Sequence, residues 1–145
     1  MSLYEQFGMS EDAEVHGVYL NYGSSGRIRI ARAGGSNVRF RKRVEAFQKR
    51  YKRQLDLEVL EDEVATAELV NIYADTIVLG WESGPEDEPR VGIIPGPEGN
   101  DLQFSRANVV MLLTDLPDLF VDIRAQSMEL GLFREAVKQA DSGNS

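Results

Sequence analysis

His16, the single histidine of this 145-residue chain, is the first candidate for chemistry. A histidine acts as a general base when a nucleophile and an orienting acid stand beside it. The chain contains no cysteine, and no serine motif signals such a partner. We therefore expect His16 to be a structural residue on a strand, and we predict no catalytic residues and no enzyme activity.

Two acidic triplets, Glu61–Glu63 and Glu86–Glu88, are the candidates for a metal site. Neither has the alternating acids and central glycine of a calcium loop, and a zinc site built on sulfur needs cysteine. The stretches "GSSG" and "AGGSN" lack the spacing of a phosphate-binding loop. We predict that the triplets are solvated and that the chain holds no metal and no cofactor.

Charge is concentrated in one segment, residues 27–53, which holds eleven Lys or Arg and one acid within a chain of net charge −8. A basic segment can bind nucleic acid or an acidic partner. The candidate residues for this surface are Arg27, Arg29, Arg39, Arg41, Lys42, Arg43, Lys49, Arg50, Lys52 and Arg53.

A structural interpretation of the same segment is that it pairs with the acidic helix that follows, whose first acids, around Glu61–Glu63, could reach the basic face. The aromatic residues Phe40, Phe47 and Tyr51 share one face of the basic helix, which is typical of core packing and not of base stacking. No helix-turn-helix or zinc-finger signature accompanies them. Nucleic acid is therefore the alternative partner, and the pattern of aromatic residues does not favour it.

The first 80 residues of the chain predict a β-hairpin followed by two helices. Residues 15–33 alternate apolar and polar positions around the "GSSG" turn, which is typical of a hairpin. Ser36 or Asn37 is a suitable N-cap for a helix that runs to about Gln54. A second helix, apolar on nearly all sides, is expected from about Leu60 to Gly80.

The remaining elements are shorter. "VGII" and "LQF" predict a small two-stranded ribbon within a loop rich in proline and glycine. Ser105 is the expected N-cap of a helix through Leu113, and Pro117 suits the first turn of another helix that continues toward Gly131.

These elements predict an α+β fold, in which an N-terminal β-hairpin packs on about four helices. We expect one domain over residues 1–138 and a disordered tail over residues 139–145. The N-terminus lacks the basic region and apolar run of a secretory signal. No run of 18 apolar residues exists, so we expect no membrane partner.

Four stretches in this order resemble the tail assembly chaperones of long-tailed double-stranded DNA phages and prophages. They are the opening from Glu14 to Tyr22, "IRIARAGGSNVRF", "VNIYADTIVLGW" ending at Trp81, and "FSRANVVMLLTDLPDLFVDI". The resemblance covers roughly Glu14 to Phe133, and the order of the stretches is more specific than any one of them.

This resemblance implies a mostly helical, non-catalytic protein that acts in the host bacterial cytoplasm and is absent from the mature virion. Such proteins bind the long helical tape-measure protein, recruit tail-tube subunits, often self-associate and are often also made as a longer frameshifted product. A binder with amphipathic helices can cover the apolar stripes of such a client. The candidate partner-binding residues are Leu116, Leu119, Phe120, Leu132 and Phe133.

Three alternatives remain open from the sequence. The helical spacing of Leu116 and Phe120 fits core packing at least as well as partner binding. The chain could also be a nucleic-acid-binding accessory protein that uses residues 27–53, or a structural tail or head-completion protein that stays in the virion.

Overall fold

The structure, a computed structural model, describes residue 3, residues 16–129 and residues 132–133. Between residues 17 and 129 it shows six strands and five α-helices, which confirms the predicted α+β fold. The strands are β1 (Val18–Asn21), β2 (Arg27–Ile30), β3 (Val78–Ser83), β4 (Arg90–Val91), β5 (Ile93–Pro95) and β6 (Asp101–Gln103). The helices are α1 (Val38–Arg50), α2 (Lys52–Asp56), α3 (Asp62–Thr76), α4 (Arg106–Asp115) and α5 (Pro117–Ser127).

The predicted N-terminal hairpin is confirmed as β1 and β2, but β1 begins at Val18, so His16 does not lie on a strand as predicted. The two strands are antiparallel, and Val18 and Leu20 of β1 point into the core while the residues between them face solvent. Gly26 closes the turn with a φ of +112°, a backbone angle that side-chain-bearing residues rarely adopt. The alternating pattern therefore gives the strand pairing and the buried face correctly.

The prediction of one helix from Leu60 to Gly80 is wrong at its C-terminal end. The helix α3 stops at Thr76, and the next residues form β3, which lies between β2 and β4 in a four-stranded sheet of order β1-β2-β3-β4. Pairing with β2 places Trp81 opposite Ile28. A short apolar run fits a buried helix and a buried strand equally well. Here the run forms a strand because it can pair with the edge of β2 that β1 leaves unpaired.

The predicted ribbon is confirmed as the antiparallel pair β5 and β6. Trp81 holds it against the sheet, because its indole N–H donates to the carbonyl oxygen of Leu102 at 3.2 Å. The same ring meets Phe104 edge to face at 5.1 Å between ring centres. The hydroxyl of Ser83 also donates to the carbonyl oxygen of Ile93 at 2.6 Å.

Both predicted N-caps are confirmed. The side chain of Asn37 accepts from the backbone N–H of Phe40 at the start of α1, and Ser105 accepts from Asn108 at the start of α4. Pro117 occupies the first turn of α5, where its missing N–H leaves no bond unmade. The helix α5 ends at Ser127, short of the predicted continuation toward Gly131. Both ends of the predicted domain 1–138 and the predicted tail 139–145 lie outside the described residues.

The helices pack around Tyr73 of α3. Its ring meets Phe40 and Phe120 edge to face, and its hydroxyl lies 3.2 Å from the hydroxyl of Ser127. By contrast, α1 has no buried residue, and its predicted apolar face is only half-buried. The helices α1 and α2 therefore contribute less to the core than α3, α4 and α5 do.

Candidate partner-binding groove

The five residues predicted to bind a partner lie in different environments. Leu116, at the joint between α4 and α5, is 48% exposed, whereas Phe120 is 2% exposed and Phe133 is fully buried. Leu119 and Leu132 are half-buried against the core. Phe120 and Phe133 thus occupy core positions, the alternative that helical spacing leaves open, and the binding role of the set stays a prediction.

A groove with a volume of about 430 Å³ runs between α3 on one side and α4 and α5 on the other. Its floor consists of the apolar side chains of Val70, Leu113 and Phe120. The other lining residues are Asp62, Glu63, Thr66, Ala67, Thr114, Pro117, Val121 and Arg124. The groove is thus an apolar channel with charged groups at its margins.

Two large apolar side chains, one belonging to a lining residue and one to the neighbour in sequence of another lining residue, are open to solvent. Val121 lines it and is 54% exposed, and Leu116 directly precedes the lining residue Pro117. Exposed leucines and valines are common singly, but side chains next to an apolar groove enlarge one continuous contact surface. This edge of α5 can therefore contact a helix laid along the groove.

Arg124 is the residue of this groove that the sequence analysis missed. Its Nε atom is buried and has no hydrogen-bond partner among the described residues, and its guanidinium lies 4.8 Å from the centre of the Phe120 ring. An arginine at helical spacing in an amphipathic segment resembles any solvated surface residue. No sequence signal distinguishes it from the other arginines.

The predicted basic surface is partly used within the chain. Arg27 donates to the backbone oxygens of Ser83 and Gly84, and Arg29 donates to those of His16 and Leu79. These two residues therefore clamp β2 to neighbouring segments and contribute little free charge.

The helical bases divide into paired and unpaired groups. Arg43 pairs with Asp75 at 2.5 Å and Arg50 lies 3.9 Å from Glu68, while Arg41 and Lys52 pair with acids one turn along their own helix. The remaining bases form no ion pair in the described part of the chain: Arg39, Lys42, Lys49 and Arg53. About half of the candidate helical cations thus remain available to another molecule.

The basic helix pairs with the acidic helix that follows it, as predicted, but not with the acids of that helix's first turns around Glu61–Glu63. The partners are Glu68 and Asp75, which lie further along α3 than Glu61–Glu63. Because α1 runs antiparallel to α3, the first turns of α1 lie beside the last turns of α3. The acids at the start of α3 are left facing solvent.

Asp75 joins three helices, because it accepts from Arg43 of α1 and from Arg106 of α4. The hydrogen bond from Arg106 is the main reason that the pKa of Asp75 lies below its ordinary value of 3.8, and Arg43 adds to the effect. We expect Asp75→Asn to lower the free energy of unfolding by about 0.5 to 1 kcal/mol at pH 7, because solvent screens the exposed arginines.

The pH dependence of that difference follows from the lowered pKa. The stabilisation by Asp75 is complete well above pH 3.8, and it is lost as the pH falls through the native pKa of the carboxyl. Urea unfolding of both proteins at a series of pH values checks this, with Asp118→Asn on the exposed start of α5 as the control. A difference that persists unchanged at the lowest pH would contradict the assignment.

Other site types receive no support from the described residues. No group of three or more of their His, Asp and Glu side chains is arranged to hold a metal ion. None of the helices in this part of the chain combines the length and the apolar run that crossing a bilayer requires.

Comparison with known proteins places the chain among prophage proteins. A family model described as "YdaY prophage protein" matches residues 35–144, about three quarters of the chain. Comparisons with curated proteins and with solved structures give no significant match. The matched range contains the groove and all five helices and begins after the β-hairpin. The chain belongs to the YdaY prophage protein family.

Proposed function

We propose that this prophage protein is a non-catalytic tail assembly chaperone. In this role it binds the tape-measure protein and assists tail-tube assembly in the host bacterial cytoplasm, and it is not retained in the mature virion. The observation that carries the proposal is the apolar groove between α3 and α5, with Leu116 and Val121 exposed beside it.

The groove suits a helical client. A tape-measure protein is a long helical chain whose apolar stripes aggregate unless another surface covers them. An amphipathic helix binds by laying such a stripe into an apolar groove, with anchor residues every three or four positions. Membership of a prophage protein family supports a role in phage biology. The resemblance to tail assembly chaperones supplies the identity of the client.

The test is co-expression with the long helical protein encoded nearest downstream, followed by affinity pull-down and sizing of the complex. We expect a stable complex that keeps the partner soluble. A partner that precipitates while this protein remains free would count against the proposal.

Variants of the exposed edge make the test specific to the groove. We expect Leu116→Ser and Val121→Ser each to weaken binding of the client at least about 10-fold, because burying an apolar side chain of this size contributes about 1.5 to 3 kcal/mol. Their stability should change by less than about 0.5 kcal/mol, as is usual for surface substitutions. Titration of labelled client with each variant measures the affinity, and urea unfolding measures the stability.

The matched control is Val91→Ser, which removes an exposed valine on β4, away from the groove. This variant should bind the client like the wild type. Equal loss of affinity in Val91→Ser and Val121→Ser would show that the groove is not the binding surface. Detection of the protein in purified particles would instead favour a structural tail or head-completion protein.

Nucleic-acid binding is the second candidate, because four bases of α1 and α2 are unpaired in the described part of the chain. A phosphate-binding surface loses affinity steeply as salt rises, since cations are released from the nucleic acid on binding. If this function is correct, a variant with glutamine at Arg39, Lys42, Lys49 and Arg53 will lose both the affinity and its salt dependence.

A further inference from the structure

We propose that the groove selects a client helix that carries a carboxylate beside its apolar anchors, and that Arg124 is the residue that recognises this carboxylate. The inference rests on the proposed function, because it takes the groove as the client's binding site. It adds a chemical requirement on the client that the apolar surface alone does not impose.

Arg124 has hydrogen-bonding capacity that the described residues leave unused. An arginine side chain carries five N–H donors and no acceptor. The Nε donor of Arg124 is buried without a partner, and the aromatic ring beneath the guanidinium occupies none of the N–H groups in the guanidinium plane. The two Nη groups also form no hydrogen bond with a described residue, so they are the donors available to an acceptor in the groove.

The acids that share the groove do not neutralise Arg124. Asp62 and Glu63 line the same groove from the start of α3, yet neither forms an ion pair with Arg124 in the described part of the chain. Both acids are exposed and hydrated, whereas Arg124 is half-buried and its Nε is shielded from water. An incoming charge therefore interacts more strongly with Arg124 than with either acid.

A carboxylate is the group that this geometry favours. The guanidinium plane presents two parallel N–H donors to a carboxylate, and such charge-assisted pairs are stronger than neutral hydrogen bonds. An amide in the same place can accept only one such bond and carries no charge. The site can thus discriminate glutamate or aspartate from glutamine or asparagine.

The length of the groove sets the size of the recognised segment. On α3 it extends from Asp62 to Val70, and on α5 from Pro117 to Arg124. At a rise of 1.5 Å per residue these faces are about 10 to 12 Å long, or about two helical turns. A client helix therefore fits with two or three apolar anchors at positions i, i+4 and i+7, and with its acid near the Arg124 end.

The test uses synthetic helical peptides of defined sequence with the full chain. Each peptide is an 18-residue amphipathic helix with leucines at i, i+4 and i+7, and glutamate is placed in turn at each position beside these anchors. For each of these peptides, a matched control peptide carries glutamine in place of the glutamate. Fluorescence anisotropy gives the affinities for the wild type, Arg124→Gln and Arg53→Gln.

We expect one glutamate position to bind the wild type at least about 10-fold more tightly than its glutamine partner, the range of a charge-assisted hydrogen bond. Arg124→Gln should abolish that preference, so that the glutamate peptide and its glutamine partner bind the variant with equal affinity. Arg53→Gln removes the same charge from an unpaired arginine on α2 and should keep the preference. Absence of a preference at every position, or a preference that survives in Arg124→Gln, would overturn the inference.

The co-expressed client separates this inference from the proposed function. If Arg124→Gln holds the client as tightly as the wild type while Leu116→Ser loses it, the carboxylate requirement is wrong and the chaperone function stands. If the wild type holds no client but the peptides show the Arg124-dependent preference, the function is wrong and the selectivity stands. A concentration-dependent dimer of this chain that Arg124→Gln dissociates would show that a second copy fills the groove, and would overturn the inference.

Discussion

Replacement of Trp81 by alanine is expected to lower the free energy of unfolding by about 3 to 5 kcal/mol. Trp81 is 3% exposed and lies in β3 between the four-stranded sheet and the β5–β6 ribbon. The substitution removes the edge-to-face contact with Phe104 and leaves the carbonyl of Leu102 without its donor. Removal of the indole ring therefore opens a cavity and detaches the ribbon from the sheet.

The measurement is urea unfolding followed by circular dichroism, because the variant lacks the only tryptophan of the chain. Trp81→Phe is the matched control, since it keeps an aromatic ring and loses the indole N–H. We expect this control to cost about 1 to 2 kcal/mol, the value of a buried hydrogen bond with some loss of packing. A cost below 1 kcal/mol for Trp81→Ala would mean that the ribbon does not depend on this residue.

Replacement of Phe120 by alanine is the second large effect, again about 3 to 5 kcal/mol. The Phe120 ring packs edge to face on Tyr73 at 5.3 Å and forms part of the groove floor. It also lies beneath the guanidinium of Arg124. We therefore expect the variant to be less stable. It should also lose the aromatic ring that holds Arg124 in position.

Thermal unfolding tests this prediction, with Leu119→Ala as the control on the same helix. Leu119 is only half-buried, so its truncation should cost clearly less than that of Phe120. Equal costs for the two variants would contradict the placement of Phe120 in the core. Because Phe120→Ala weakens the fold, binding should be tested with Leu116→Ser and Val121→Ser.

Features set by neighbouring residues along the chain could be predicted from the sequence. The hairpin, the N-caps Asn37 and Ser105, the ribbon and the position of Pro117 all depend on a few adjacent residues and their backbone preferences. The strand β3 depends instead on β2, which lies about 50 residues earlier. Its apolar run has no periodicity that excludes a helix, so the local pattern extends α3 too far.

The candidate site was less predictable for a related reason. Helical spacing shows that Leu116 and Phe120 lie on apolar faces, but not which face meets another helix of the same chain. The neighbouring helices α3 and α4 decide that Phe120 is covered and Leu116 is not. The Nε donor of Arg124 likewise lacks a partner in the described part of the chain because of the residues that surround it in the fold, and the sequence does not show this.

Because β2 and β3 are far apart in sequence, β2 cannot pair with β3 until some time after β2 has been synthesised. Bacterial and other ribosomes add about 5 to 20 residues per second, so β3 follows β2 after about 3 to 10 s. During this interval β2 has one unpaired edge, and such an edge can pair with other chains. Arg27 and Arg29 lie on this strand, and charged side chains on an edge oppose that aggregation. We therefore expect the two arginines that clamp β2 in the finished fold also to oppose aggregation of the nascent chain until β3 has been synthesised.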